Sequence, residues 1–241
     1  MKVLIIDKGV SFSQKQYLRK RSEEGLIHTK LIVVPEPTSS NVDYDSDEDF
    51  SQGMKLLSAA LDEFQPDVLL CSSRGGKYAC KLIEKSVWKG PTLMLSAMMI
   101  QGSVDYESIE SALVCAYGKN EKTVPVAMMN QVRMCKNNKV LAIMYPSDDH
   151  SLNSIVSETE QQHGCENVNE MVRTYSMECD DRVFEKKQLS LMELLHVTVQ
   201  TGGIEKKTIT KLSQGLAENI GGQMKLSPSM LKGGLNQLRK Q

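Results

Sequence analysis

The stretch Asp67–Ala79, DVLLCSSRGGKYA, decides the fold that this sequence predicts. It begins with a short apolar run, Val68–Leu70, of the kind that forms a buried parallel strand. Small residues and glycines follow, and a helical pattern opens at Lys77. A strand that runs through a sharp turn into a helix places the turn at the carboxyl edge of a sheet, where open α/β folds bind ligands. We therefore expect the functional site at this turn.

Two motifs overlap there. The nucleophile elbow, G-x-S-x-G, fits residues 71–75, CSSRG, with Ser73 as the nucleophile and Cys71 in place of the first glycine. The phosphate loop, G-x-x-x-x-G-K-[ST], fits residues 71–78 less well, because Tyr78 also replaces the hydroxyl residue that binds a metal ion. The elbow departs from its pattern at one position and the phosphate loop at two, so the sequence favours the elbow. An ordinary glycine-rich turn is the simplest alternative.

Composition limits the class of protein. The chain has 241 residues, 40% of them hydrophobic and 24% charged, which is typical of a globular protein with a sizeable core. A formal net charge of −1 argues against a general nucleic-acid binder, and no apolar run reaches the roughly 18 residues of a membrane span. The start does not resemble a signal peptide, and the six cysteines include no C-x-x-C pair. We expect a cytoplasmic protein with reduced cysteines and without a metal or cofactor.

Apolar runs and helical patterns alternate along residues 1–201. Strands are predicted at 3–6, 31–34, 68–70, 92–98, 140–144 and 171–177, and the helices include 52–64, 77–85, 105–116 and 187–201. This alternation predicts an α/β fold, a three-layer sandwich with a mostly parallel sheet of about six strands.

A second region, residues 202–241, differs in character. From Ile204 onward it has seven Lys or Arg residues and two Glu residues. We expect a C-terminal helical appendage there. A basic amphipathic helix at 204–241 that docks on a protein partner is the alternative.

The sequence resembles the α/β-hydrolase superfamily, close to its compact esterase-like members without a lid domain. Three segments carry the resemblance: SSRGG at 72–76, WKGPTLMLSAM at 88–98 and YPSDDHSL at 145–152. Their order and spacing match over about residues 1–201, and the tail has no counterpart. The resemblance implies a serine hydrolase whose substrates are small carboxylic esters or related acyl compounds.

The family pattern requires a serine nucleophile, an acid after the next-to-last strand and a histidine after the last strand. Ser73 matches the nucleophile, and Asp149 matches the acid, with Asp148 as the alternative. The backbone N–H groups of Arg74 and Val10 would form the oxyanion hole.

The histidine is the point at which the sequence departs from the family. Arg182 stands at the expected position, and a guanidinium group has no acceptor for the serine proton. Of the four histidines, His150 alone is predicted at the carboxyl edge, so it is the candidate replacement base. An active hydrolase that uses Ser73 and Asp149 therefore stands beside a non-catalytic hydrolase-like binding protein. A nucleotide-binding protein that uses the 71–78 loop is the third hypothesis.

Overall fold

A computed structural model describes residues 1–35, 44–145, 147–157 and 189–201. Within these ranges the chain forms six strands and five α-helices. The strands are β1 (Lys2–Asp7), β2 (His28–Val33), β3 (Val68–Ser72), β4 (Thr92–Leu95), β5 (Leu113–Gly118) and β6 (Val140–Tyr145). The helices are α1 (Phe12–Glu23), α2 (Glu48–Phe64), α3 (Gly75–Glu84), α4 (Val126–Arg133) and α5 (Leu191–Thr201).

The strands form one sheet in the order β2-β1-β3-β4-β5-β6, and every neighbouring pair is parallel. The prediction of an α/β fold with a parallel sheet of about six strands is confirmed. Because all the strands run in one direction, the loops after β1, β3, β5 and β6 open at the same carboxyl edge.

Both faces of the sheet are covered, which explains why its strands are apolar throughout. One row of paired residues faces α1 and α5: Ile5, Leu70, Leu93, Val114 and Leu141. The next row faces α2, α3 and α4: Ile6, Cys71, Met94, Cys115 and Ala142. The side chains therefore alternate between two cores, and the helices form the outer layers.

Local sequence explains where two of the helices begin. Ser11 and Gln14 form a capping box at the start of α1, in which each side chain accepts from the other residue's backbone N–H. The Asp47 carboxylate accepts from the Phe50 N–H at 2.7 Å and caps α2.

Among the helices of the described ranges, none has the length and apolar character that crossing a bilayer requires.

One predicted helix, residues 105–116, is wrong. The structure has a short 3-10 turn at Tyr106–Ser108 and then β5, whose six residues are all buried. A central strand covered on both faces lacks the polar alternation of a half-exposed strand, so its pattern cannot be distinguished from that of a buried helix. The predicted strand at 171–177, Arg182 and the 202–241 tail lie outside the described residues.

Candidate active site

Ser73 lies in the sharp turn between β3 and α3. Its φ is 46°, in the left-handed region that residues other than glycine rarely adopt. The Ser73 N–H donates to the Leu95 carbonyl at 3.1 Å, and the Ser73 carbonyl accepts from the Met98 N–H at 2.8 Å. Strand, strained turn and helix are the geometry of a nucleophile elbow, which holds a serine hydroxyl at the top of the sheet.

Close backbone approach explains the small residues around Ser73. A Cβ on Gly9, in the loop after β1, would lie 2.4 Å from Ser73 Cβ, and the φ of Gly9 is +108°. A Cβ on Gly75 would lie 3.2 Å from the Ile6 carbonyl oxygen. Cys71 replaces the first glycine of the motif, but its side chain is fully buried in the core and burial raises the pKa of its thiol. The turn therefore holds Cys71 as a neutral, apolar side chain.

Two more side chains complete a hydrogen-bonded chain with Ser73. His150 Nε2 lies 2.9 Å from Ser73 Oγ, and His150 Nδ1 lies 2.8 Å from Glu121 Oε2. Glu121 Oε1 accepts from the backbone N–H groups of Thr123 at 2.5 Å and Val124 at 3.0 Å. The Glu121 side chain is fully shielded from solvent, whereas 30% of the His150 side chain is exposed. The arrangement matches the order nucleophile, base and orienting acid.

The protonation state of Glu121 follows from its surroundings. Burial raises the pKa of its carboxyl group, but the hydrogen bonds from Thr123, Val124 and His150 together outweigh burial, so the pKa lies below its ordinary value. Glu121 is then ionised at neutral pH and accepts hydrogen bonds only. An ionised Glu121 favours the proton on His150 Nδ1, which leaves Nε2 as an acceptor for the Ser73 hydroxyl proton. A general base beside a serine needs this tautomer.

The loop after β5, which carries Glu121, is fastened to the loop after β6, which carries His150. Two backbone hydrogen bonds join them, from Lys119 N–H to the Tyr145 carbonyl at 2.9 Å and from Asn120 N–H to the Asp148 carbonyl at 3.0 Å. A Cβ on Gly118 would lie 2.4 Å from the carbonyl oxygens of residues 148 and 149. Adjacent strands and direct backbone contact thus bring acid and base together.

The structure places Glu121 beside His150 Nδ1, where the sequence predicted Asp149 or Asp148. Asp149 Oδ1 accepts from the Ser151 N–H at 2.8 Å. The Asp148 carboxylate accepts from the backbone N–H of Ser154 at 3.3 Å and from its hydroxyl. Both carboxylates therefore bond to residues a few positions later in the chain, whereas Glu121 reaches His150 from the loop after β5.

Glu121 was not predicted because residues 105–116 carry the pattern of a helix, whereas the structure has β5 at Leu113–Gly118. With β5 in the sheet, Glu121 follows the next-to-last described strand and His150 follows the last. These are the positions that the family resemblance assigns to the acid and the histidine. The signal that could have located the acid is the apolar run Leu113–Gly118, which ends at a glycine followed by Lys119 and Asn120.

The two residues predicted to supply the oxyanion hole belong to the loop after β1 and to the turn after β3. Val10 follows Gly9, which touches Ser73, and Arg74 is the N-cap of α3. The N-terminal end of a helix favours negative charge. The Gly75 N–H donates to the carbonyl of residue 8 at 2.8 Å and so holds the loop after β1 against the turn. The oxyanion role of Val10 and Arg74 stays a prediction.

The geometry gives less support to a phosphate loop. The backbone N–H groups of residues 75, 76 and 77 donate to protein carbonyls at 2.8, 3.1 and 3.2 Å, so they are engaged within the fold. The Tyr78 hydroxyl donates to the Pro35 carbonyl at 2.9 Å, away from the position of a metal-binding hydroxyl. In the described part of the chain, no group of three or more His, Cys, Asp or Glu residues could hold a metal ion.

No protein-family model matches this sequence, and no curated protein matches it. Among solved structures, an uncharacterized protein from Bacillus cereus ATCC 10987 is 11% identical over 67% of this chain, with a TM-score of 0.46. This chain spans 57% of that protein's length. A proposed hydrolase of the alpha/beta superfamily from Xanthomonas campestris pv. campestris is 16% identical, over 64% of this chain and 90% of that one, with a TM-score of 0.41. Neither likeness assigns chemistry to this chain.

Proposed function

We propose that this protein is a serine hydrolase of the α/β-hydrolase type that acts on small carboxylic esters or related acyl compounds. Ser73 is the nucleophile, His150 the general base and Glu121 the acid that orients the base. The observation that supports this proposal is the continuous contact from Ser73 Oγ through both nitrogens of His150 to Glu121 Oε2, at 2.9 and 2.8 Å. The chain order Ser, Glu, His is also that of α/β-hydrolases.

The proposed reaction has two halves. Ser73 Oγ attacks the acyl carbon while His150 Nε2 takes the hydroxyl proton, and Glu121 stabilises the imidazolium that forms. His150 then gives that proton to the leaving alkoxide, and an acyl-serine remains. Water, deprotonated by His150, attacks the acyl carbon; the bond to Ser73 Oγ breaks, His150 returns the proton to Oγ, and the carboxylic acid is released. Backbone N–H groups at Val10 and Arg74 would stabilise the oxyanion in both halves.

The contact between Ser73 Oγ and His150 Nε2 also argues against the hypothesis of a non-catalytic binding protein. That hypothesis depends on Arg182, which cannot accept the serine proton. His150 supplies an acceptor 2.9 Å from Ser73 Oγ and an acid partner that is shielded from solvent. Both features favour catalysis over a scaffold that only binds.

Labelling with a fluorophosphonate probe tests the proposal. We expect the wild type to label and Ser73→Ala to be silent. His150→Gln and Glu121→Gln should label about 10²–10⁴-fold more slowly, because the base is lost or its tautomer is no longer fixed. The matched control is Asp149→Asn, which changes a carboxylate next to His150 that bonds only to Ser151 among the contacts described, and it should label at nearly the wild-type rate.

Hydrolysis of p-nitrophenyl acetate by the same variants separates turnover from labelling. We expect an initial burst of nitrophenol when deacylation is the slower half. The proposal fails if Ser73→Ala still labels, or if Asp149→Asn and Glu121→Gln lose activity equally. The second result would return the acid role to the loop after β6.

A further inference from the structure

A single buried side chain, Gln14, connects two loops that meet at Ser73. We call residues 8–11, after β1, the oxyanion loop, and residues 148–151, after β6, the base loop. Gln14 lies in the first turn of α1 and is 2% exposed. Its Oε1 accepts from the Ser11 N–H at 3.1 Å, and its Nε2 donates to the Ser151 carbonyl at 3.0 Å. One amide therefore joins the backbone of Ser11 to that of Ser151, which lies 137 positions after Gln14 in the chain.

Helix capping alone does not account for this arrangement. The capping box needs the backbone N–H of Gln14, which donates to Ser11 Oγ at 3.2 Å, and the side-chain oxygen of Gln14. The Nε2 group takes no part in the cap and instead reaches the base loop. A glutamate would complete the same cap, but its carboxylate has no donor for the Ser151 carbonyl.

Both ends of the amide act on groups beside the nucleophile. Ser11 follows Val10, and the oxyanion loop touches Ser73 through Gly9. Ser151 follows His150, whose Nε2 has to stay 2.9 Å from Ser73 Oγ. Misplacement of a catalytic group by about 1 Å can lower a rate about 10²-fold, so a connection of this kind has kinetic consequences.

We propose that Gln14 is a positioning residue, which keeps His150 aligned with Ser73 by fixing the base loop to the oxyanion loop. The inference rests on the proposed function, since it assigns Gln14 to the same catalytic chain. The Gln14 side chain hydrogen-bonds to the backbone of Ser11 and Ser151 and acts through those two groups.

The test compares Gln14→Met with Asp47→Ala in the full chain. Gln14→Met keeps the length of the side chain and loses both amide bonds, whereas Asp47→Ala loses a helix cap of α2, the hydrogen bond from the Phe50 N–H at 2.7 Å, and keeps the Gln14 bridge. Gln14→Glu is the second variant if Gln14→Met does not fold, since it loses only the donor to Ser151. Two quantities are measured: the fluorophosphonate rate, resolved into its inactivation and binding constants, and hydrogen exchange over residues 148–152.

We expect Gln14→Met to lower the inactivation constant about 10–100-fold with little change in the binding constant, and to speed exchange in the base loop. Asp47→Ala should change neither. Wild-type inactivation and exchange in Gln14→Met, or an equal loss of inactivation in Asp47→Ala, would overturn the positioning role while Ser73→Ala still confirmed the nucleophile. A wild type that does not label at all would overturn the proposed function, and the positioning role with it.

Discussion

Gly118 provides the most direct test of how the fold aligns the candidate triad. This glycine is the last residue of β5, and a Cβ at its position would lie 2.4 Å from the carbonyl oxygens of residues 148 and 149. Both of those atoms belong to the backbone just before His150, so no flexible side chain can move aside. Gly118→Ala should therefore push the base loop away from β5.

The size of the effect follows from the distances. Ordinary contact between such atoms begins at about 3.5 Å, so the backbone before His150 has to move by about 1 Å. A shift of that size at a catalytic base lowers the rate about 10²-fold. Overpacking of this kind also costs about 1–3 kcal/mol of unfolding free energy, which an ordinary domain withstands.

The assay is the rate of fluorophosphonate labelling, with urea denaturation to measure stability. Gly25→Ala is the matched control: its φ is +75° and nothing lies within 4 Å of the added Cβ, so it introduces backbone strain of about 1–2 kcal/mol without a clash. We expect Gly25→Ala to lose stability and keep its labelling rate, and Gly118→Ala to lose both. A folded Gly118→Ala protein that labels like the wild type would refute the argument that this contact aligns His150.

Three further predictions concern protonation and strain. The pKa of Glu121 is lowered in the folded state, so the stability that its carboxylate contributes is present above its unfolded pKa and is lost as the pH falls through its folded pKa. Denaturation at neutral and acid pH should therefore show a weaker pH dependence of the unfolding free energy for Glu121→Gln than for the wild type. An unchanged pH dependence would contradict this. Burial raises the pKa of Cys80 to about 11 and that of Cys115 to about 12, so iodoacetamide should modify neither thiol before unfolding. Alkylation of either thiol in the native protein, detected by peptide mass mapping, would show that the core around these cysteines opens. Ser73→Gly should be more stable than Ser73→Ala by about 1 kcal/mol, because only glycine is unstrained at a φ of 46°; equal denaturation midpoints would mean that the turn is not strained.

The fold class and the sharp turn at Ser73 were predictable because their signals are local. Short apolar runs separated by helical patterns specify a covered parallel sheet wherever they occur. The turn at Ser73 is visible for the same reason: a strand that enters a helix through a strained residue needs small neighbours, and Gly75 and Gly76 supply them within three positions. Neither inference requires knowledge of which strand lies beside which.

The contact between Glu121 and His150 could not be predicted from local sequence patterns. No sequence pattern near Glu121 indicates that its side chain contacts a histidine 29 positions later. Their contact exists because β5 and β6 are neighbours in the sheet, and because the loops after them share backbone hydrogen bonds and a glycine contact. The sequence by itself determined the fold class, a covered parallel sheet, and the sharp serine turn, through local patterns of burial and small residues. Only the tertiary structure decided which acid and which histidine lie beside that serine, because strand pairing brings together residues that are distant along the chain.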